Sequence, residues 1–196
     1  TYCLVLRESL EPTIIERPPN YDVRRYLGAT GATAEEYSSL GWPQGAHQRR
    51  EPAWRDSTMA DGPYNERPTV YTHRRLVDRR HNDLPLGTEA VLVNWPVQDY
   101  PTYNFPAYLI EQLELTEPGT ALKSLVDMTP AQRRLVFEDA KNHALGLLYY
   151  LQTTAYDRAP DAAVSFRDLT LTDEFGTPDR LPWKPYIREG LRLKAL

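Results

Sequence analysis

Apolar and polar positions alternate along this chain with two different periods, and the longest run of each period sets the expected architecture. From Thr129 onward apolar residues return every three to four positions as far as about Thr154, the spacing of one face of an α-helix. The start is marked. Thr129 is an N-cap residue, Pro130 suits the first helical position, and Gln132 completes a capping box, so the spacing predicts a helix of roughly 38 Å. At 100° per residue Val136, Ala140, Ala144, Leu147 and Leu151 share one face, with Phe137 and Leu148 on its flank and Glu138, Lys141 and Gln152 opposite. Leu145 and Tyr149 on the polar side predict that the second half is enclosed on most sides. Gly146 costs about 1 kcal/mol relative to Ala inside a helix, which predicts a close contact at that point.

Period-2 patterns are shorter. Residues 1–7 read as a strand, Glu89 to Trp95 alternates Val91, Val93 and Trp95 against Ala90, Leu92 and Asn94, and Thr69 to Leu76 is a further candidate. Ala107 to Leu115 fits either period. Residues 186–194 read as a last strand, with Tyr186, Arg188 and Arg192 on one face and Ile187, Leu191 and Leu193 on the other, where Glu189 also falls. A carboxylate on an apolar face demands a partner. Between these elements lie two short helical signals, one capped by Asp22 and ending at Gly28, the other capped by Thr33 and Glu36. Residues 42–69, with Pro43, Pro52, Pro63, Pro68, Trp42 and Trp54, show neither period and predict an irregular loop. The fold class expected is α+β, a mixed β-sheet backed by helices with one long helix at about 130–154.

Composition narrows the class without naming it. The 196 residues are 41% hydrophobic and 26% charged, ordinary values for a chain that buries a core. No apolar run approaches the roughly 20 residues of a membrane-spanning helix, so no membrane partner is expected. The one cysteine, Cys3, excludes an intrachain disulfide and any multi-cysteine zinc site. Strand patterns that reach both ends of the sequence predict a single domain, or a fragment, of a longer polypeptide.

Charge and motifs supply the candidate chemistry. The net charge is −4. The segment 48–80 is rich in arginine, which makes a site for an anionic partner, a polysaccharide or a nucleic acid, the alternative to an enzyme; a solvated charged surface is the expectation over nucleic-acid binding. His73, His81 and Asp83 have the residue types of a metal site, but the four arginines among them oppose a cation, and no metal is expected. There is no Gly-x-Gly-x-x-Gly after a strand, no phosphate loop, no His-Glu-x-x-His and no Gly-x-Ser-x-Gly. No self-contained cofactor or nucleophile site is visible in these motifs. Arg188 and Arg192 call for an anion, and Asp173 and Glu174 stand just upstream on a Gly/Pro turn.

Tyr21-Asp22 with Arg25-Tyr26, then Val93-Asn94, then His143-Ala144-Leu145-Gly146-Leu147-Leu148-Tyr149-Tyr150-Leu151-Gln152, then Asp173-Glu174-Phe175, and last Tyr186-Ile187-Arg188-Glu189 make up an ordered set of short motifs. This set resembles the later part of a family of mostly bacterial, xanthan-lyase-like FAD-dependent oxidoreductases. The resemblance spans nearly the whole chain, and the long helix and the Tyr-Ile-Arg-Glu strand carry most of it. It departs at Leu191, where the family has the first of two arginines, and over residues 96–128. It implies a substrate-side domain of a flavoprotein, inactive alone, whose Rossmann-type FAD-binding segments belong to the remainder of the same polypeptide. Residues 186–194 would then lead back toward that region. FAD would do the redox chemistry on a small-molecule substrate. The resemblance makes Arg188 and Arg192 cofactor-binding candidates, His143 the candidate acid or base, and Asn94, Tyr150 and Gln152 candidates to face substrate.

Overall fold

The computed structural model describes residues 1–26, 74–78, 83–94, 98–102, 104–158 and 166–186. Among the described residues four strands form one sheet: β1 (Leu4–Glu8), β2 (Arg75–Val77), β3 (Ala90–Val93) and β4 (Leu169–Leu171), in the order β2-β3-β1-β4. β1 pairs with β3 through Leu4↔Val93 and Leu6↔Val91 and with β4 through Leu6↔Leu171 and Glu8↔Leu169. Every described pairing is antiparallel. The mixed sheet expected from the sequence is corrected to an antiparallel one among the described strands, because β1 in the middle runs against both of its neighbours. The class is α+β.

The described α-helices are α1 (Ala107–Thr116), α2 (Pro130–Gln152) and α3 (Thr154–Arg158). Both halves of the capping box at the start of α2 are made, with Gln132 N donating to Thr129 Oγ1 and Thr129 N to Gln132 Oε1. The same Gln132 amide also donates to the hydroxyls of Thr116 and Thr120, so the cap joins the end of α1 to the start of α2. Helical geometry stops at Thr153, one residue before the expected end, with φ −116° and ψ −89°. Its hydroxyl donates to Tyr149 O at 2.7 Å, a side-chain bond that competes with the helical ladder. α1 resolves the ambiguity at 107–115 in favour of helix. Glu114 closes its far end by accepting from Gly119 N and Ala121 N, and Gly119 adopts the left-handed conformation at φ 84° that the turn requires.

Two apolar cores result. Leu4, Leu6, Val91 and Val93 of the sheet pack with Ala140, Ala144, Leu147, Leu148 and Leu151 of α2, with Tyr26 and Phe166 among them. A smaller core joins Leu109 and Leu113 of α1 to Val136 and Met128. The apolar face read from the periodicity of α2 is the face these cores cover. Gln152 is the exception: placed opposite that face by the helical wheel, it is fully buried. The N-terminal segment at Ile15 and the segment Phe166–Leu169 close over the last turn of α2 from its polar side. Far apart in sequence, Thr1 and Tyr186 exchange both backbone hydrogen bonds, at 2.7 and 2.8 Å, so the two segments run side by side.

The loop expected at 42–69, the second short helix, nearly all of the arginine-rich segment 48–80, His73, His81, and the strand at 186–194 beyond Tyr186, with Arg188, Glu189 and Arg192, lie outside the described residues. Among the described residues no helix is long and apolar enough to cross a membrane, and no cluster of three or more His, Cys, Asp or Glu side chains is arranged to hold a metal.

Candidate functional site

The middle of α2 carries a buried polar cluster. Asp139 and His143 are one turn apart, so both project from the same side of the helix. Both are buried. Opposite them stands a 3₁₀ turn, Val23–Tyr26, started by Asp22, whose Oδ1 accepts from Arg24 N at 3.0 Å. The turn drives Tyr26 into the core and leaves Arg25 alongside. The segment entering α1 contributes Tyr100 and Tyr108.

These residues contact one another through side chains. Tyr100 donates to Asp139 Oδ2 and Tyr108 to Asp139 Oδ1, each at 2.5 Å, so the carboxylate accepts from two phenols at once. Among the described residues no cation lies at ion-pair distance from Asp139; Arg25 instead reaches the Tyr108 hydroxyl at 3.5 Å. The Tyr26 hydroxyl donates to the His143 backbone carbonyl at 3.0 Å and lies 3.3 Å from His143 Nδ1. With its proton committed to the carbonyl, the phenol oxygen is placed to accept, which favours the tautomer of His143 that carries the proton on Nδ1. Tyr26 stacks on the imidazole at 5.3 Å, while Tyr100 meets it edge-on at 5.9 Å.

Gly146 makes this arrangement possible. A Cβ at that position would collide with the Tyr26 hydroxyl and stand 2.7 Å from Cζ. The close approach expected from a glycine inside a helix is therefore made to Tyr26.

Electrostatics keep the phenols protonated. Burial pushes Tyr100 far above the usual phenol range, and its bond to Asp139 and the charge there push the same way. Burial and the Asp139 bond push Tyr108 up to about 12. Tyr26 is raised mainly by burial, against the opposing charge of Arg25. Around neutrality the cluster is thus a set of neutral O–H donors gathered about one carboxyl group and one imidazole.

The described residues singled out by sequence lie in four places. His143 and Tyr150 belong to the cluster, Tyr150 packing against Tyr26 at 5.9 Å. Gln152 lies at the far end of α2, where Oε1 accepts from Ile15 N at 2.9 Å and Nε2 donates to Phe166 O and Leu169 O. Its amide faces the backbone of these segments. Asn94 is buried just past the end of β3. Asp173 and Glu174, read as upstream partners for the terminal arginines, are engaged by Arg180 at 2.8 Å and Arg7 at 2.7 Å. Sequence reasoning passed over Asp139, Tyr100 and Tyr108. The four-residue interval between Asp139 and His143 was the available signal for Asp139; nothing local marks the two tyrosines.

Comparison with protein-family models, with curated proteins and with solved structures finds no match in any of the three.

Proposed function

We propose that this chain is the substrate-side part of an FAD-dependent oxidoreductase acting on a small molecule. The observation that carries the reading is the meeting of two motifs on which the resemblance rests. Arg25-Tyr26 and His143-Ala144-Leu145-Gly146 are more than a hundred residues apart, yet Tyr26 fits against both His143 and Gly146. Each motif supplies what the other requires.

The described glycines are isolated and form no cradle for a pyrophosphate, so in this reading the dinucleotide is held by segments outside the described residues. Bound flavin would supply the electron-transfer chemistry. The chain's own part is charge and proton placement: Arg188 and Arg192 offer guanidinium groups to an anionic cofactor or substrate. His143 holds a proton beside the Tyr26 hydroxyl, and the cluster approaches solvent at the half-buried Tyr100 and Tyr108.

Purified full-length protein should show the visible absorbance of an oxidised flavin. Arg188→Ala should then lower flavin affinity or its rate of reduction about tenfold, the loss of ~1.4 kcal/mol of charge stabilisation. Unchanged values remove Arg188 from the site. Colourless protein whose binding to polyanions weakens with salt overturns the flavin reading and supports a binding module built on segment 48–80.

A further inference from the structure

Several other described carboxylates meet cations, and Glu114 and Glu8 accept from backbone N–H groups. Glu89 and Asp78 meet Arg75, Asp179 meets Lys141, and Glu174 meets Arg7. Asp139 differs, because both of its oxygens accept from phenols at 2.5 Å. That is the geometry in which losing an electron and losing a proton become one event. Removing an electron from a phenol makes its O–H strongly acidic, and a base already hydrogen-bonded to it receives the proton without diffusion or rearrangement.

We propose that Tyr100, Tyr108 and Asp139 form a site of proton-coupled one-electron oxidation, served by outer-sphere one-electron oxidants of the metal-polypyridine class. In the step, one electron passes from the phenol to the oxidant and the phenolic O–H bond breaks. An O–H bond forms on the facing Asp139 oxygen. The products are a neutral phenoxyl radical hydrogen-bonded to a carboxylic acid, and an oxidant reduced by one electron. The site depends on neither a flavin nor the reading of the chain as part of an oxidoreductase. The raised pKa values of both phenols are in keeping with it, since loss of the proton ahead of the electron is closed to them at ordinary pH. The imidazole of His143 and the rings of Tyr26, Tyr21 and Tyr149 continue from Tyr100 at centroid separations of 4.9 to 5.9 Å, a contiguous file of aromatic groups beside the site.

The test is flash-quench oxidation of the full-length protein by a photogenerated ruthenium(III) polypyridine, with the tyrosyl radical followed by transient absorption and electron paramagnetic resonance. Wild-type protein should show a fast phase that slows in deuterated solvent and is independent of buffer-base concentration, because the proton acceptor is internal. The double variant Tyr100→Phe with Tyr108→Phe should lose that phase, whereas Tyr186→Phe, at an exposed tyrosine, should keep it. Asp139→Asn, with folding checked by circular dichroism, should slow it about tenfold, equivalent to ~1.4 kcal/mol of activation free energy. A fast phase that survives the double phenylalanine variant, or a wild-type rate that rises with buffer base, overturns the proposal. Should Asp139→Asn fail to fold, those two measurements decide it.

Discussion

About two and a half turns apart on α2, His143 and Gln152 both lie buried, and their polar atoms are satisfied in different ways. Around Gln152 the partners are main-chain atoms: the N–H of Ile15 and the carbonyls of Phe166 and Leu169. Around His143 and Asp139 the described partners include side-chain hydroxyls from two separate segments, the Tyr26 turn and the stretch that runs into α1. A main-chain partner is present whatever residue stands there, so the Gln152 end is a clasp holding two crossing segments to a helix. Phenolic partners can be removed one at a time, and they can give up protons and electrons. The difference teaches that a buried polar side chain is better classified by what it bonds to than by its type or its depth.

Substitutions separate the two regions. The largest effect is expected from Gln152→Leu, which keeps the volume while taking hydrogen-bond partners from three backbone groups. Chemical denaturation should show a loss of about 3 kcal/mol, with the absorption spectrum of any bound cofactor unaltered. A smaller loss would mean that the clasp is dispensable.

Next comes Gly146→Ala. The added methyl collides with the Tyr26 ring, and the expected net cost is about 2 kcal/mol after allowance for the gain in helix propensity of ~1 kcal/mol. In a Tyr26→Leu background the same change should become neutral or stabilising. A double-mutant cycle over the two positions measures this coupling, and additive effects would show that turn and helix are not coupled through Tyr26 and Gly146.

The smallest effect belongs to Asp22, which starts the Tyr26 turn. Its carboxyl is lowered to about 2, first by the side-chain bond to Arg24 and then by the Arg24 backbone N–H. A depressed folded-state pKa adds stability above the unfolded value of 3.8, and that stability is lost as the pH falls from there toward about 2. The pair is exposed, so Asp22→Asn should cost under about 1 kcal/mol at neutral pH, less still in high salt, and should flatten the stability profile in that acidic window.

Elements whose signals are local were legible in the sequence. The capping box at Thr129, the apolar stripe of α2 and the strand at β3 each depend on residues within one or two turns, and each is present in the structure, although Ala90 and Asn94 are buried as well as Val91 and Val93. Gly146 could be recognised as a contact point because a glycine there opposes helix propensity, but its partner could not be named. Tyr26 comes from a turn whose position depends on the whole core. Gln152 lies opposite the apolar stripe, and its burial agrees with the enclosure that Leu145 and Tyr149 predict for that end, but the segments at Ile15 and Phe166–Leu169 that cover it could not be named. Of the cluster, His143 stood out by residue type; Asp139, Tyr100 and Tyr108 are joined only by tertiary packing.

The fit of Tyr26 against Gly146 also limits the order in which this sequence could drift. A side chain at 146 is admissible only after the ring at 26 has been shortened, and a ring can return to 26 only while 146 stays bare. Either change is tolerable in one order and damaging in the other, so a deep mutational library of the protein should show the two positions as one of its strongest epistatic pairs.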